Sequence, residues 1–247
     1  SWRGTATIDQ LAAESTAWRD RLSLVEMDVT SDASVAAAAE KLRADKVKLY
    51  ALCNNAGTAT GSASTLFEVN CRGPRRVVEA LLPLLEPDGR IVNISSGAGP
   101  TCVAKTTNAE RRALLVGKGA TWDSLEALMQ ECEALPQGAE ELESTMGIGA
   151  SLGAYGLSKA ILNAYTCALA RDHPKLRVNA CSPGMINTDL LKDALHGAAP
   201  WWVPGFVVGL LAPHVVNARP AHEATTAPEF LLFGEIDKQV NGAYYGS

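Results

Sequence analysis

Short apolar runs separated by longer stretches of helical periodicity constrain this chain more than any other feature. Residues 22–29, 47–54, 90–95 and 175–182 read as strands, and 240–245 as a weaker one. Residues 33–44, 64–84 and 151–171 read as helices. Ser31 and Asp32 offer caps for the first, and Gly73 and Pro74 disturb the second. Strands separated by helices of this length need crossover connections, which build a parallel sheet. Near-continuous apolar strands fit a sheet covered by helices on both faces. Residues 100–150 break the rhythm, because no strand is readable there. Within them, 121–132 places Trp122, Leu125, Met129 and Cys132 on one helical face, which marks a helical insertion.

Composition narrows the function classes. A chain of 247 residues suits one α/β domain with a sizeable core. A formal charge of −5 weighs against a nucleic-acid partner, which would need clustered Lys and Arg. Cys53, Cys71, Cys102, Cys132, Cys167 and Cys181 are scattered and none pair at C-x-x-C spacing. They read as buried free thiols in a reducing, cytoplasmic compartment, with no zinc site. His173, His196, His214 and His222 lack metal-ligand spacing and read as surface or lid residues. The longest apolar run, 201–213, is interrupted by Pro204 and Gly205 and is too short to span a bilayer. The first residue is Ser, so a targeting segment upstream is not readable.

In an open parallel sheet, ligands bind at the carboxyl ends of the strands. Distinctive residues fall at those ends: Asp28-Val29, then Asn54-Asn55-Ala56-Gly57, then Ser95-Ser96, then Ser182-Pro183-Gly184 with Ile186 and Thr188. Tyr155-Gly-Leu-Ser-Lys159 lies on the helix between the last two. Each alone is weak: a Tyr and Lys four apart fit a surface helix, and Asn-rich or Pro-Gly pairs are ordinary turns. Their order and placement carry the signal.

With Asn70, this series resembles the short-chain dehydrogenases/reductases. So do Gly-Arg-Ile-Val-Asn-Ile-Ser-Ser at 89–96 and Arg-Val-Asn-Ala-Cys-Ser-Pro-Gly at 177–184. The resemblance covers 22–99 and 151–190. Ser96 and Tyr155 stand 59 positions apart, wider than is usual in the family, which resembles its carbonyl-reductase-like branch with a helical insert over the active site. The resemblance implies a Rossmann-like doubly wound fold, a monomer, and hydride transfer between a nicotinamide cofactor and a ketone or aldehyde and its alcohol. NADP is the implied cofactor and NAD the alternative.

The resemblance also implies roles. Lys159 lies one helical turn from Tyr155 and, as a cation, lowers its pKa so that Tyr155 can move a proton. Ser96 would hydrogen-bond the reacting oxygen. Lys159 would also hold the nicotinamide ribose. Asn70 would hold a water that links Lys159 to solvent; otherwise it is a helix-kinking residue beside Gly73. Asp28 and Val29 would meet the adenine, Asn55, Ala56 and Gly57 the ribose, and Pro183, Gly184, Ile186 and Thr188 the nicotinamide. Arg3 before Gly4 is similar to a 2′-phosphate-binding arginine, or is a surface residue. Residues from about 190 to 225, with Trp201, Trp202 and Phe206, would form a lid over a small apolar or aromatic carbonyl or alcohol substrate. A membrane-touching loop is the rival reading of that lid.

One family motif is absent from the sequence. No Thr-Gly-x-x-x-Gly-x-Gly turn, whose backbone reaches a diphosphate, occurs in it. By resemblance, the first βαβ segment carrying it would precede Ser1. The family strand order 3-2-1-4-5-6-7 would then leave 22–29 and 47–54 without a neighbour between them, their edges exposed. Two expectations follow: an N-terminally incomplete enzyme, or a catalytically inactive relic that serves as an interaction module.

Overall fold

A computed structural model of the chain describes residues 2–14, 21–135, 139–149, 152–184, 186, 224–237 and 240–246. Helix α1 (Trp2–Glu14) leads to α2 (Asp32–Ala44), then β1 (Leu49–Asn54), α3 (Ala63–Phe67), a π turn (Glu68–Arg72), α4 (Gly73–Leu81) and β2 (Leu85–Ile94). Four helices follow: α5 (Ala98–Lys105), α6 (Ala109–Leu115), α7 (Trp122–Glu133) and α8 (Ala139–Ser144). The long α9 (Gly153–Asp172), β3 (Arg177–Cys181), α10 (Thr226–Phe233) and β4 (Tyr244–Tyr245) complete the order. The strands form one sheet in the order β1-β2-β3-β4, every neighbouring pair parallel.

Strand periodicity sorts the core into two faces. Ile91 and Val178, paired across β2 and β3, pack with Leu157 and Ile161 of α9. Val92 and Cys181 turn the other way and pack with Leu231 of α10. The insertion belongs to the α9 face. Leu125, Leu128, Met129 and Cys132 of α7 join the same cluster as Leu157 and Ile161, and the Trp122 ring stands edge-on to Tyr165 at 5.3 Å. Its start is fixed by a capping box between Thr121 and Ser124.

Most expected elements are present, and three expectations are corrected. Residues 22–28 carry no regular structure and Val29 begins a turn, so 22–29 is not a strand. No segment among the described residues pairs with them, and without ladder bonds an apolar run is not a strand. Leu24 and Met27 are consequently exposed, while Val29 packs against Val35 and Val77. Residues 240–245 pair over only two positions. The chain turns at Gly242, whose φ is +72°, and Asn241 uses its side chain instead, accepting from Val178 N (2.7 Å) and donating to Leu176 O (2.9 Å). The thiols are free, but Cys53 is exposed and Cys167 half-buried. Cys53 lies on β1, the edge strand of the sheet among the described residues. Among the described residues no helix is long and apolar enough to cross a membrane.

Because Leu125 is fully buried in a cluster shared by α7 and α9, the insertion unfolds with the sheet domain. Leu125→Ala is expected to cost about 2–5 kcal/mol in a urea melt. The loss should appear in a single transition seen alike by Trp fluorescence and far-UV circular dichroism.

Candidate active site

The disturbance foreseen at Gly73-Pro74 takes a definite form. Pro74 has no N–H, so the carbonyl four residues earlier, that of Asn70, receives no α-helical bond. The helix widens instead, and Gly73 N donates to Glu68 O, five residues back. This π turn carries Asn70, which is 1% exposed. Its amide Nδ2 donates to Thr58 O (2.9 Å) and to Ser158 Oγ (3.0 Å), and its Oδ1 accepts from Thr58 N (2.9 Å). One side chain thereby joins the loop after β1 to the middle of the Tyr155–Lys159 turn. Ser158 is held from below, because its hydroxyl donates to Tyr155 O at 2.8 Å.

Gly57 closes this corner. A Cβ there would stand 3.2 Å from Asn70 Oδ1, close enough to press on that side chain, and in ordinary contact with Lys159 Nζ at 3.5 Å. Asn55, Ala56 and Gly57 form an exposed ledge beside them. Lys159 is 5% exposed, and its Nζ donates to Ile94 O at 3.1 Å, at the carboxyl end of β2. Burial lowers its pKa to about 8. A buried chain of amides braces the strands beneath: Asn54 Nδ2 donates to Asn93 Oδ1 (2.8 Å), and Asn93 Nδ2 to Thr166 Oγ1 of α9 (2.9 Å).

Tyr155 differs from expectation. Burial pushes its phenol up, and the influence opposing this is the Ser96 hydroxyl, which favours the phenolate. Lys159 does not lower it. The ammonium lies 5.9 Å from the Tyr155 ring centroid and spends its hydrogen bond on Ile94 O. Desolvation therefore outweighs the distant charge, and Tyr155 holds its proton at neutral pH. Ser96 Oγ itself accepts from Ala98 N at 3.2 Å, which fixes it at the start of α5.

The structure brings Asn70, Ser96, Tyr155, Lys159 and Gly57 to the carboxyl end of the sheet. Asp28 and Val29 are fastened to the same helix from outside. Val29 packs where a Cβ on Gly73 would touch it at 3.1 Å, and Arg76 Nη1 donates to Val29 O at 2.6 Å. The Asp28 carboxylate accepts from Thr30 Oγ1 (2.7 Å) and Thr30 N (2.9 Å), which lowers its pKa. Pro183 is half-buried, Gly184 takes a left-handed φ of +85°, and Ile186 is buried. Arg3 lies in α1. Thr188, the 201–213 segment with its tryptophans, and His196, His214 and His222 lie outside the described residues.

Sequence reading missed Thr58, Ser158 and Tyr244. Ser158 was readable in hindsight, being inside the Tyr155–Lys159 turn. Tyr244 sits across from Ala180, and its phenol feels both the Ser182 hydroxyl and Tyr155.

These residues also bear on a nicotinamide dinucleotide. The exposed 55–57 ledge and the Lys159 ammonium offer polar groups of the kind a ribose needs. The glycine-rich turn for a diphosphate is not in the sequence.

Known proteins are similar to this chain. The family model described as short chain dehydrogenase matches residues 2–108. Short-chain dehydrogenase/reductase 1 of Saponaria officinalis is 30% identical over 221 residues, 76% of this chain and 71% of that protein. Carbonyl reductase (NADPH) 1 of Bos taurus is 30% identical over 206 residues, 76% of this chain and 70% of that protein. The solved structure of menthone neomenthol reductase from Mentha piperita superposes with a TM-score of 0.71 at 22% identity, covering 99% of this chain and 86% of that one. That likeness shows the Rossmann-like α/β fold.

The depressed Lys159 pKa has a sign. The folded value, about 8, lies below the ordinary 10.5, so between these pH values the unfolded chain binds more protons. Stability contributed at this position therefore rises as pH increases through that window, and the penalty is fully present below it. Lys159→Met is expected to be more stable than the parent at pH 7, by at most about 3 kcal/mol. Urea melts should show the gap closing between pH 8 and 10.5.

Proposed function

The chain belongs to the short-chain dehydrogenase/reductase family of nicotinamide-dependent oxidoreductases, and on that premise we propose that it moves a hydride between NADP(H) and a ketone or aldehyde and its alcohol. Tyr155 is the proton donor and acceptor. The observation that carries this reading is the convergence of Tyr155, Ser96, Lys159 and Asn70, drawn from three segments of the chain.

The dinucleotide, when bound, supplies or takes the hydride; all other chemistry falls to side chains. Carbonyl reduction leaves charge on the substrate oxygen. Tyr155, kept neutral by burial, holds the proton that oxygen needs. Ser96, whose hydroxyl acts on Tyr155, would donate to the same oxygen and stabilise the developing charge. Lys159, still charged below about pH 8, would hold the nicotinamide ribose. Asn70 fixes the Tyr155–Lys159 turn through Ser158. Asn55, Ala56, Gly57 and Lys159 would hold the nicotinamide end, with Pro183, Gly184, Ile186 and Thr188, and Asp28 and Val29 the adenine. NADP is favoured over NAD through kinship with an NADPH carbonyl reductase. The substrate is a small carbonyl compound or alcohol.

Tyr155→Phe is expected to lower kcat by three or more orders of magnitude, about 4 kcal/mol of barrier. Cofactor affinity by calorimetry should stay within about twofold. Retained turnover in this variant would remove Tyr155 from the reaction. In the reductive direction the parent rate should be level at neutral pH and fall above about 8, as Lys159 loses its charge.

A further inference from the structure

Among the described residues, the densest cluster of ion pairs sits on the turn that carries Asn70. Arg72 closes that turn. Its Nε and Nη2 reach Glu126 Oε1 at 3.1 and 2.7 Å, and its Nη1 and Nη2 reach the two Glu133 oxygens at 2.8 and 3.1 Å. Both glutamates belong to α7, in the insertion. Glu68 opens the turn, accepts from Arg76 Nη2 at 2.8 Å and lies 3.7 Å from Arg72 Nη1. Arg76 also pairs with Asp32 and holds Val29 O. The ion pairs thus grip the π turn at both ends.

Exposed single pairs contribute little, but these are different. The Arg72 side chain is 17% exposed and engages two carboxylates, each through two nitrogens, from an element that does not belong to its own helix. Its guanidinium is held charged by those bonds, and Glu126 is held ionised by Arg72.

π turns are rare, occur mostly as single turns inside α-helices, and are frequent at functional sites. Pro74 denies this turn its α-helical bond but does not fix the angle between α3 and α4, and a rotation there would swing Asn70 away. Asn70 could not then keep Thr58 and Ser158 together. We propose that Arg72 is a positioning residue for the reaction: by clamping α7 through Glu126 and Glu133, it holds the π turn that aims Asn70 at Ser158. The insertion thereby helps to set the proton-transfer geometry as well as filling the core. This rests on the roles given to Tyr155, Lys159 and Asn70 above.

The first test needs no turnover. In the full chain, the Asn70 side-chain amide protons are bonded to Thr58 and Ser158, and their exchange can be followed by 15N NMR. Arg72→Met should speed that exchange by about tenfold or more. Glu126→Gln with Glu133→Gln, which preserves shape and removes only charge, should do likewise and covers the case in which Arg72→Met does not fold. Unchanged Asn70 exchange in the paired glutamine variant would overturn the proposal.

The second test is kinetic, with NADPH and 4-nitrobenzaldehyde as the probe. Arg72→Met should lower kcat by about tenfold at nearly constant KM. The same change made on Asn70→Ala should cost almost nothing further, because Arg72 acts through Asn70. Equal losses in both backgrounds would mean a merely structural role and would overturn the proposal. A Tyr155→Phe control separates the two ideas: a fully active control refutes the proton-transfer reading, whereas a dead control beside an unaffected Asn70 amide refutes the clamp alone.

Discussion

The buried ammonium of Lys159 is the constraint on which the site depends. A cation at 5% exposure, bonded to one carbonyl at 3.1 Å, is costly, and its pKa falls accordingly. The parts around it make that burial tolerable. Ile94 O is available because β2 ends there. Gly57 lies against the same corner, where a Cβ would press on Asn70 Oδ1 at 3.2 Å. Asn70, beside both, spends its amide on Thr58 and Ser158 and so ties α9 to the β1 loop.

The same burial decides the state of Tyr155. Reasoning from charge alone makes Lys159 lower the phenol's pKa. At 5.9 Å from the ring, Lys159 loses to desolvation, and the neighbour that favours phenolate is Ser96. A neutral phenol is the form that can donate, which suits reduction. The insertion, meanwhile, lies against α9 and the Asn70 turn. Trp122 packs on Tyr165, and Arg75 lies 4.6 Å above the Trp122 ring.

Periodicity made the helices legible: 33–44 and 151–171 lie within a residue or two of α2 and α9, and α7 follows its apolar stripe. Residues 90–95 and 175–182 likewise became strands, because both are covered on two faces. Residues 22–29 did not, since an apolar run specifies extension but a strand also requires a partner. The residue types of the site were legible from Tyr155, Lys159, Ser96 and Asn70. Their electrostatics were not, because burial and the 3.1 Å bond to Ile94 are properties of the assembled fold. Thr58 and the Arg72 clamp were hidden for a related reason: Arg72 and Glu126 are 54 positions apart, and no local pattern joins them.

The order in which Lys159 and Tyr155 lose their protons tests the central claim most directly. It can be read from the Lys Cε and Tyr Cζ carbon shifts of selectively 13C-labelled protein, with Tyr155→Phe assigning the tyrosine signal. The expected result is that Lys159 titrates near pH 8 while Tyr155 stays neutral beyond that point. A Tyr155 signal that ionises first, below the Lys159 midpoint, would contradict it.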